Sequence, residues 1–178
     1  GKFWRFTKLP FGLKTAPLLA CLYAAEVTSM ARARGIRCVW YVDDVIVVGV
    51  PVAQTFNILH AIEPHLKKNA LITDAGSTKT DVIMAAKTAL GDKVAQFIPA
   101  HPIAGGAQHG AIAAKADLYQ GKEVIICPLQ ENAPAAVEAI NEFWLGTGAN
   151  THRMSSLQHD AVFAAISHLP HVLSFALM

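Results

Sequence analysis

The sequence is poor in charge, in cysteine and in long apolar runs, and each shortage excludes a class of protein. Asp, Glu, Lys and Arg make up 16% of the 178 residues and leave a net charge of +2, too small an excess to indicate binding to nucleic acid or to an anionic membrane. No apolar run approaches the ~20 residues of a membrane-spanning helix, and the N-terminal residues lack the layout of a signal peptide. The three cysteines are scattered and form no CxxC pair, so we expect a reduced, cytoplasmic protein.

Hydrophobic residues make up 53% of the sequence, enough for the core of one ordinary domain or two small ones. From residue 45 onward, apolar runs typical of buried strands alternate with segments of helical periodicity. The predicted strands are 45–50, 70–73, 94–99, 122–127 and 150–154, and the predicted helices are 54–68, 81–90, 134–145 and 157–178. Thr80 or Ser77 should cap the second of these helices and Ser156 the last. The alternation predicts an α/β fold built on a parallel sheet.

The first 44 residues have a different character. Pro17 can open a helix over 18–34, and the β-branched and aromatic residues 37–42 predict a strand that ends at Asp43 and Asp44. Two adjacent carboxylates at a strand end or in a hairpin can bind Mg²⁺, although such a pair also occurs as a solvated turn.

Two segments of this region carry a resemblance: Leu9-Pro-Phe-Gly-Leu-Lys-Thr-Ala-Pro17 and Tyr41-Val-Asp-Asp44. Together they resemble the palm of retroelement reverse transcriptases. That resemblance implies that the first segment helps to position template and nucleotide, and that Asp43 and Asp44 bind catalytic metal ions. Another aspartate that the family supplies upstream of the first segment has no counterpart in this sequence.

A histidine held between two prolines is the most conspicuous candidate for chemistry. Pro99 and Pro102 restrict the backbone on either side of His101, and two glycines follow at 105 and 106. A histidine held stiffly at the end of a strand suits proton transfer near neutral pH. A loop histidine without a function is the alternative.

Three of the predicted strands end in segments rich in small, polar or proline residues: Pro51-Val-Ala53, Asp74-Ala-Gly-Ser77 and Ala100-His101. Because ligands gather at the carboxyl ends of parallel strands, we expect these three segments to lie along one edge of the sheet, at a ligand site. Gly76 permits close approach of the backbone to a ligand. Ser77 offers a hydroxyl near a helix N-terminus, where anionic groups are favoured, or serves only as a helix cap.

The last predicted helix carries a polar stripe on an apolar background. Its members, at intervals of 7, 4 and 3 residues, are Asp160, Ser167, His171 and Ser174. At 3.6 residues per turn they share one face, which would contact either a ligand or water, and Pro170 should kink the helix within that face. His168 and His171 have no carboxylate or cysteine partner at the usual metal-binding spacing, so no metal site is predicted.

Four segments occur in one order and at ordinary spacing: Val50-Pro-Val52, Thr73-Asp-Ala-Gly-Ser-Thr-Lys79, Pro99-Ala-His-Pro-Ile-Ala-Gly105 and Ser167-His-Leu-Pro-His171. Together they are similar to prephenate or arogenate dehydrogenases. The resemblance implies a Rossmann-like sheet that runs into the start of an all-helical dimerisation domain. It also implies NAD or NADP as cofactor, a homodimer, and oxidative decarboxylation of prephenate or arogenate in tyrosine biosynthesis.

The same resemblance assigns roles to residues. His101 would hydrogen-bond the ring hydroxyl of the substrate and accept its proton, and Ser77 would help to hold that hydroxyl. The substrate pocket would include Ser167, His171 and Gly106, and the residues beside the cofactor would be Pro51, Val52, Asp74 and Gly76.

One departure from this family limits the prediction. The sequence contains no GxGxxG segment, which in the family belongs to the first strand-turn-helix and holds the cofactor pyrophosphate. We therefore expect a truncated chain, with a polymerase-palm-like helix and strand over 1–44, a partial Rossmann-like domain over 45–154 and the start of the helical domain over 155–178. The alternatives are an RNA-directed DNA polymerase fragment, whose partner would be nucleic acid, and a non-catalytic fusion remnant.

Overall fold

The computed structural model of the chain describes residues 39–42, 45–104 and 117–177. The predicted helix over 18–34 and the residues Asp43, Asp44 and Gly106 lie outside them. The strands in the described part are β1 Val39–Val42, β2 Val45–Val48, β3 Leu71–Asp74, β4 Ala100–Pro102, β5 Glu123–Ile126 and β6 Asn150–Arg153.

The strands form a mixed sheet rather than the predicted parallel one. β2 pairs with β3 and β5 with β6 in parallel, whereas β1–β2 and β4–β5 are antiparallel. The pairing orders are β1-β2-β3 and β4-β5-β6, and a parallel bridge between Ile72 and Phe97 links the two groups. β1 is antiparallel to β2 because two residues separate them, and a parallel pair needs a crossover of about a dozen or more residues.

Helices cover both faces of the sheet. They are α1 Thr55–Ile62, α2 Thr80–Leu90, α3 Pro134–Gly146, α4 Ser156–Phe163 and α5 Leu169–Ala176. One buried cluster joins α1 and α2 to β2 and β3 and includes Leu59 and Ile72, while a second joins α3 to β4 and β5 and includes Ile126 and Trp144. Val45 and Leu71, which alternate with the residues of the first cluster, pack against the second.

The segment before His101 differs from the predicted strand over 94–99. A 3₁₀ helix, Gly91–Gln96, follows directly after α2, and the strand that contains His101 begins only at Ala100. Gly91 ends α2 with φ of 52°, a conformation that glycine adopts without strain. Val94 is buried from the 3₁₀ turn rather than from a strand, so its apolar character indicated burial but not the type of secondary structure.

Two local predictions about helix starts were wrong. The cap of α4 is Ser155 rather than Ser156, and its hydroxyl accepts from Gln158 N–H in a reciprocal capping box. Neither Ser77 nor Thr80 caps α2, which begins at Thr80 without a side-chain cap from its own segment.

Pro170 is accommodated by a change of helix type. Residues Ala164–His168 form a π-helical turn, and Pro170 lies in the first turn of α5, which follows it. The π-helical turn runs directly into α5, since Leu169 N–H donates to the Ala164 carbonyl five residues earlier, and Pro170, which lacks an N–H, follows where the α-helical hydrogen-bond pattern is already interrupted. The wider turn also changes the angular step between Asp160 and Ser167, so a single 3.6-residue stripe does not continue through this segment.

Candidate active site

The carboxyl ends of β2 and β3 meet at one edge of the sheet, as predicted. The strands are parallel and in register from Val45 with Leu71 to Val48 with Asp74, and Ala75 N–H donates to the Val48 carbonyl at 3.2 Å. β4 joins this edge through Ala100, whose N–H donates to Asp74 Oδ1 at 3.0 Å. The third predicted segment therefore does lie beside the second.

Asp74 is a buried hub of hydrogen bonds. Its side chain is 3% exposed, and Oδ2 accepts from Lys79 Nζ at 2.5 Å and from Gly76 N–H at 2.8 Å. Lys79 Nζ also donates to the Ala100 carbonyl at 2.6 Å, and its side chain is fully buried. This ion pair fixes the loop after β3 against β4. The carboxylate is occupied by these partners, and its contact with a cofactor stays a prediction.

Gly76 is required by the same carboxylate. A Cβ at this position would lie 2.8 Å from Asp74 Oδ2 and 3.2 Å from Val82 Cγ2. The absence of a side chain therefore lets the turn close over the ion pair. The sequence indicated only that the backbone at Gly76 must come close to another group, and that group is the Asp74 carboxylate.

The N-terminus of α2 is capped by a carboxylate that is distant in sequence. Asp160, on α4, accepts from Lys79 N–H through Oδ1 and from Thr80 N–H through Oδ2, each at 2.8 Å. Partial burial favours the neutral acid, but hydrogen bonds from the Thr80 side chain, the two backbone N–H groups and His159 together hold the pKa of Asp160 well below its usual range. The residue is thus a carboxylate at the positive end of a helix.

His101 is hydrogen-bonded to a second histidine. Its Nδ1 lies 2.8 Å from Nε2 of His159, and Nδ1 of His159 lies 2.8 Å from Oδ1 of Asp160. His159 is fully buried, whereas His101 is partly buried on β4. The rings of both histidines contact Phe163, with ring centroids at 5.0 Å from His101 and 4.6 Å from His159.

Both imidazoles are held in the neutral form. Burial, followed by the positive charge of Lys79 and by electrostatic interaction with the rings of His159 and His168, lowers the pKa of His101 from 6.5 to about 4, against the opposing charge of Asp160. Burial also lowers the pKa of His159, although its hydrogen bond with Asp160 acts in the opposite direction. A neutral imidazole has an unprotonated nitrogen and can therefore accept a proton near neutral pH.

The other predicted site residues lie apart from this network. Ser77 is exposed in the loop between β3 and α2, Pro51 is exposed after β2, and Val52 is partly buried at the start of a 3₁₀ turn. Ser167 is exposed in the π-helical turn, and His171 is the third residue of α5. Their roles toward substrate and cofactor stay predictions.

Within residues 39–42, 45–104 and 117–177, no three His, Cys, Asp or Glu side chains are arranged to hold a metal ion. Over the same residues, no helix is long and apolar enough to cross a membrane.

Sequence reasoning missed two residues that organise the site, Lys79 and His159. Lys79 is the last residue of the segment Thr73–Lys79, and its signal was its place five residues after Asp74, a distance at which a loop can bring the two side chains together. The signal for His159 was its spacing of four from Phe163, which places both on the apolar face of one helical turn, next to Asp160.

Helices on both faces of the sheet, together with parallel strand ends that converge on one edge, define an α/β domain of the Rossmann-like class. The family model described as "Prephenate dehydrogenase, nucleotide-binding domain" matches residues 23–153. The chain belongs to the prephenate dehydrogenase family. The match begins inside the region that resembles a polymerase palm, so the two resemblances overlap over residues 23–44.

Individual relatives agree with this assignment. The chain is 35% identical to the cyclohexadienyl dehydrogenase of Zymomonas mobilis over 135 residues, which are 76% of this chain and 45% of that protein. It is also 35% identical to the prephenate dehydrogenase of Bacillus subtilis over 134 residues, 75% of this chain and 36% of that one. The chain thus spans less than half the length of these relatives.

A solved structure resembles the fold closely. The prephenate dehydrogenase of Aquifex aeolicus in complex with hydroxyphenyl propionate and NAD⁺ superimposes with a TM-score of 0.70 at 31% identity. The alignment covers 84% of this chain and 50% of that one.

Proposed function

We propose that this chain carries the His101-containing part of an NAD(P)-dependent dehydrogenase that oxidatively decarboxylates prephenate or arogenate. The observation that carries the proposal is the neutral, partly buried His101 at the strand-end edge, tied through Nδ1 to His159. Membership of the prephenate dehydrogenase family supports the reaction class, and the NAD⁺ in the Aquifex aeolicus structure supports the cofactor class.

His101 acts as the proton acceptor in this proposal. A bound NAD(P)⁺ would supply the acceptor for the hydride on the ring carbon that bears the hydroxyl, and the ring carboxylate would leave as CO₂ as the ring becomes aromatic. The hydroxyl becomes more acidic as the C–H bond breaks, and the free imidazole nitrogen of His101 takes its proton. Burial of His101 and the positive charge of Lys79 lower the pKa of the imidazole well below neutral pH, so its unprotonated nitrogen is available to accept the proton.

The residues at the edge fit the nicotinamide end of a dinucleotide better than its pyrophosphate. Pro51 and Val52 offer an apolar surface directly after β2, beside the end of β3. The pyrophosphate would need a glycine-rich turn at a helix N-terminus, and no GxGxxG segment occurs in the sequence. The N-terminus of α2 is already capped by Asp160, so it does not replace that turn. Binding of NAD⁺ or NADP⁺ to this chain is therefore expected to be weak.

The substrate would be held from several elements. Ser77 would help to position the ring hydroxyl, and its exposed side chain is free to turn toward a ligand. Ser167 and His171, from the π-helical turn and α5, would face the substrate from the helical side, and Gly106 would follow β4 at the same pocket. The exposed apolar residues of α4, the π-helical turn and α5, among them Leu157, Ile166 and Leu169, support a further helical domain or a homodimer packed against this segment.

Titration of NAD⁺ and NADP⁺ against the purified chain, followed by addition of prephenate or arogenate, tests the proposal. We expect one nucleotide to bind at up to millimolar concentration and any turnover to be lost in His101→Asn with nucleotide affinity retained. His60→Asn, a change of the same kind at a histidine on α1, serves as control and should alter neither. Absence of binding by both nucleotides at millimolar concentration would show that this chain has no dehydrogenase activity.

A second candidate function rests on β1 and β2. These strands form an antiparallel pair in which Val42 is opposite Val45, and Asp43 and Asp44 connect them in sequence. An acidic pair between such strands, with the motif over 9–17, supports an RNA-directed DNA polymerase fragment. That function requires Mg²⁺-dependent primer extension that is lost in Asp43→Asn. A chain with neither extension nor nucleotide binding would be a non-catalytic remnant.

A further inference from the structure

The hydrogen bonds around His101 form a series that ends at a helix. His101 Nδ1 contacts His159 Nε2, His159 Nδ1 contacts Asp160 Oδ1, and each contact is 2.8 Å long. Asp160 in turn accepts from the N–H groups of Lys79 and Thr80 at the start of α2. The chain of hydrogen bonds from His101 through His159 therefore ends at the Asp160 carboxylate. The other partners of that carboxylate are all donors, so it can only accept.

The direction of each hydrogen bond follows from that carboxylate. Ionised Asp160 has no proton to give, so Nδ1 of His159 is the donor in their contact. A neutral imidazole carries one N–H, which leaves Nε2 of His159 as an acceptor. Nδ1 of His101 must then be the donor, and its Nε2 must hold the free electron pair.

We propose that His159 and Asp160 are positioning residues that hold His101 in the tautomer protonated on Nδ1, with Nε2 free to accept a proton. That tautomer follows from the hydrogen bonds together with an ionised Asp160 and neutral rings, whereas the use of Nε2 on the substrate hydroxyl rests on the function proposed above. Burial of His159 strengthens the arrangement, because its fully enclosed ring has no water to replace either partner.

The groups around the pair favour the same tautomer. Lys79 is paired with Asp74 and donates to the carbonyl of Ala100, the residue before His101, and both Lys79 and His168 of the π-helical turn act electrostatically on His101. A second proton on either imidazole would add positive charge beside Lys79. Both rings therefore stay neutral, and the reverse orientation would set two N–H groups or two electron pairs against each other.

Nitrogen NMR of the chain labelled with ¹⁵N-histidine, near pH 7, tests the proposal without cofactor or substrate. Long-range proton–nitrogen spectra distinguish a protonated from an unprotonated ring nitrogen, and His101→Asn assigns the signals by their loss. We expect His101 to be protonated on Nδ1 and unprotonated on Nε2. Protonation on Nε2 would overturn the proposal even if turnover depends on His101.

Two variants examine the cause of the tautomer. His159→Phe removes the acceptor and keeps the ring volume, and Asp160→Asn removes the negative charge that makes Nδ1 of His159 the donor. In each we expect the Nε2-protonated form of His101 to rise from under a tenth to at least half, a change of roughly 10-fold in the tautomer ratio. His152→Phe, at an exposed histidine on β6, should leave the ratio unchanged.

The outcomes separate this inference from the proposed function. The Nδ1-protonated form in the native chain, lost in both variants, supports the positioning role whether or not the chain turns over. Retention of that form in both folded variants would show that His159 and Asp160 do not set it. If His159→Phe does not fold, the native spectrum and Asp160→Asn still decide the question.

Discussion

The ion pair between Lys79 and Asp74 gives the sharpest stability prediction. Replacing Lys79 with Met keeps the length of the side chain but leaves a carboxylate that is 3% exposed without its cation. Removing one partner of a buried pair costs about 3–5 kcal/mol. The Ala100 carbonyl, which accepts from Lys79 Nζ at 2.6 Å, loses its donor in the same change.

Urea unfolding followed by far-ultraviolet circular dichroism measures the effect. With a slope of about 2 kcal/mol per molar urea, a loss of about 4 kcal/mol lowers the midpoint by roughly 2 M. The total stability of a domain is about 5–15 kcal/mol, so the variant should be folded but markedly weakened.

Lys87→Met is the matched control. Lys87 is paired with Glu131 at 2.7 Å, but the two side chains are 49% and 38% exposed, and exposed pairs contribute little because water screens them. Equal midpoints for Lys79→Met and Lys87→Met would refute the argument from burial. The double variant Asp74→Asn with Lys79→Met should recover part of the loss, because no uncompensated charge remains.

Three further predictions concern the same region. Gly76→Ala should destabilise the chain by about 1–3 kcal/mol in urea unfolding, because its Cβ would lie 2.8 Å from Asp74 Oδ2, whereas Gly146→Ala, in open space, should not. Burial raises the pKa of Cys127 to about 12, so iodoacetamide should modify it only after unfolding; modification of Cys127 itself in the native chain at neutral pH, located by peptide mass spectrometry, would contradict this. The pKa of His101 is about 4 when folded and about 6.5 otherwise, so its contribution to stability is present above pH 6.5 and is lost as the pH falls from there toward 4. His101→Asn should therefore flatten the decline of the urea midpoint over that interval.

Several features could be predicted from the sequence because they are local. The apolar runs located β2, β3 and β5 to within about a residue or two, since continuous burial on both faces requires such runs. The strand that contains His101 was misplaced, because Val94 is equally apolar in a 3₁₀ turn and in a strand. The antiparallel pairing of β4 with β5 could not be predicted from either segment, because the relative direction of two strands depends on how both are placed in the fold.

The sequence by itself determined the family and the candidate histidine, because the order of the motifs and the spacing of the prolines can be seen without the fold. Only the tertiary structure decided how that histidine is held. Asp160 caps a helix 80 residues earlier, and the same carboxylate orients His159 against His101. Hydrogen bonds between residues so far apart in sequence follow no periodic pattern or fixed spacing that could predict them. They form only when the fold brings the atoms within about 3 Å of each other.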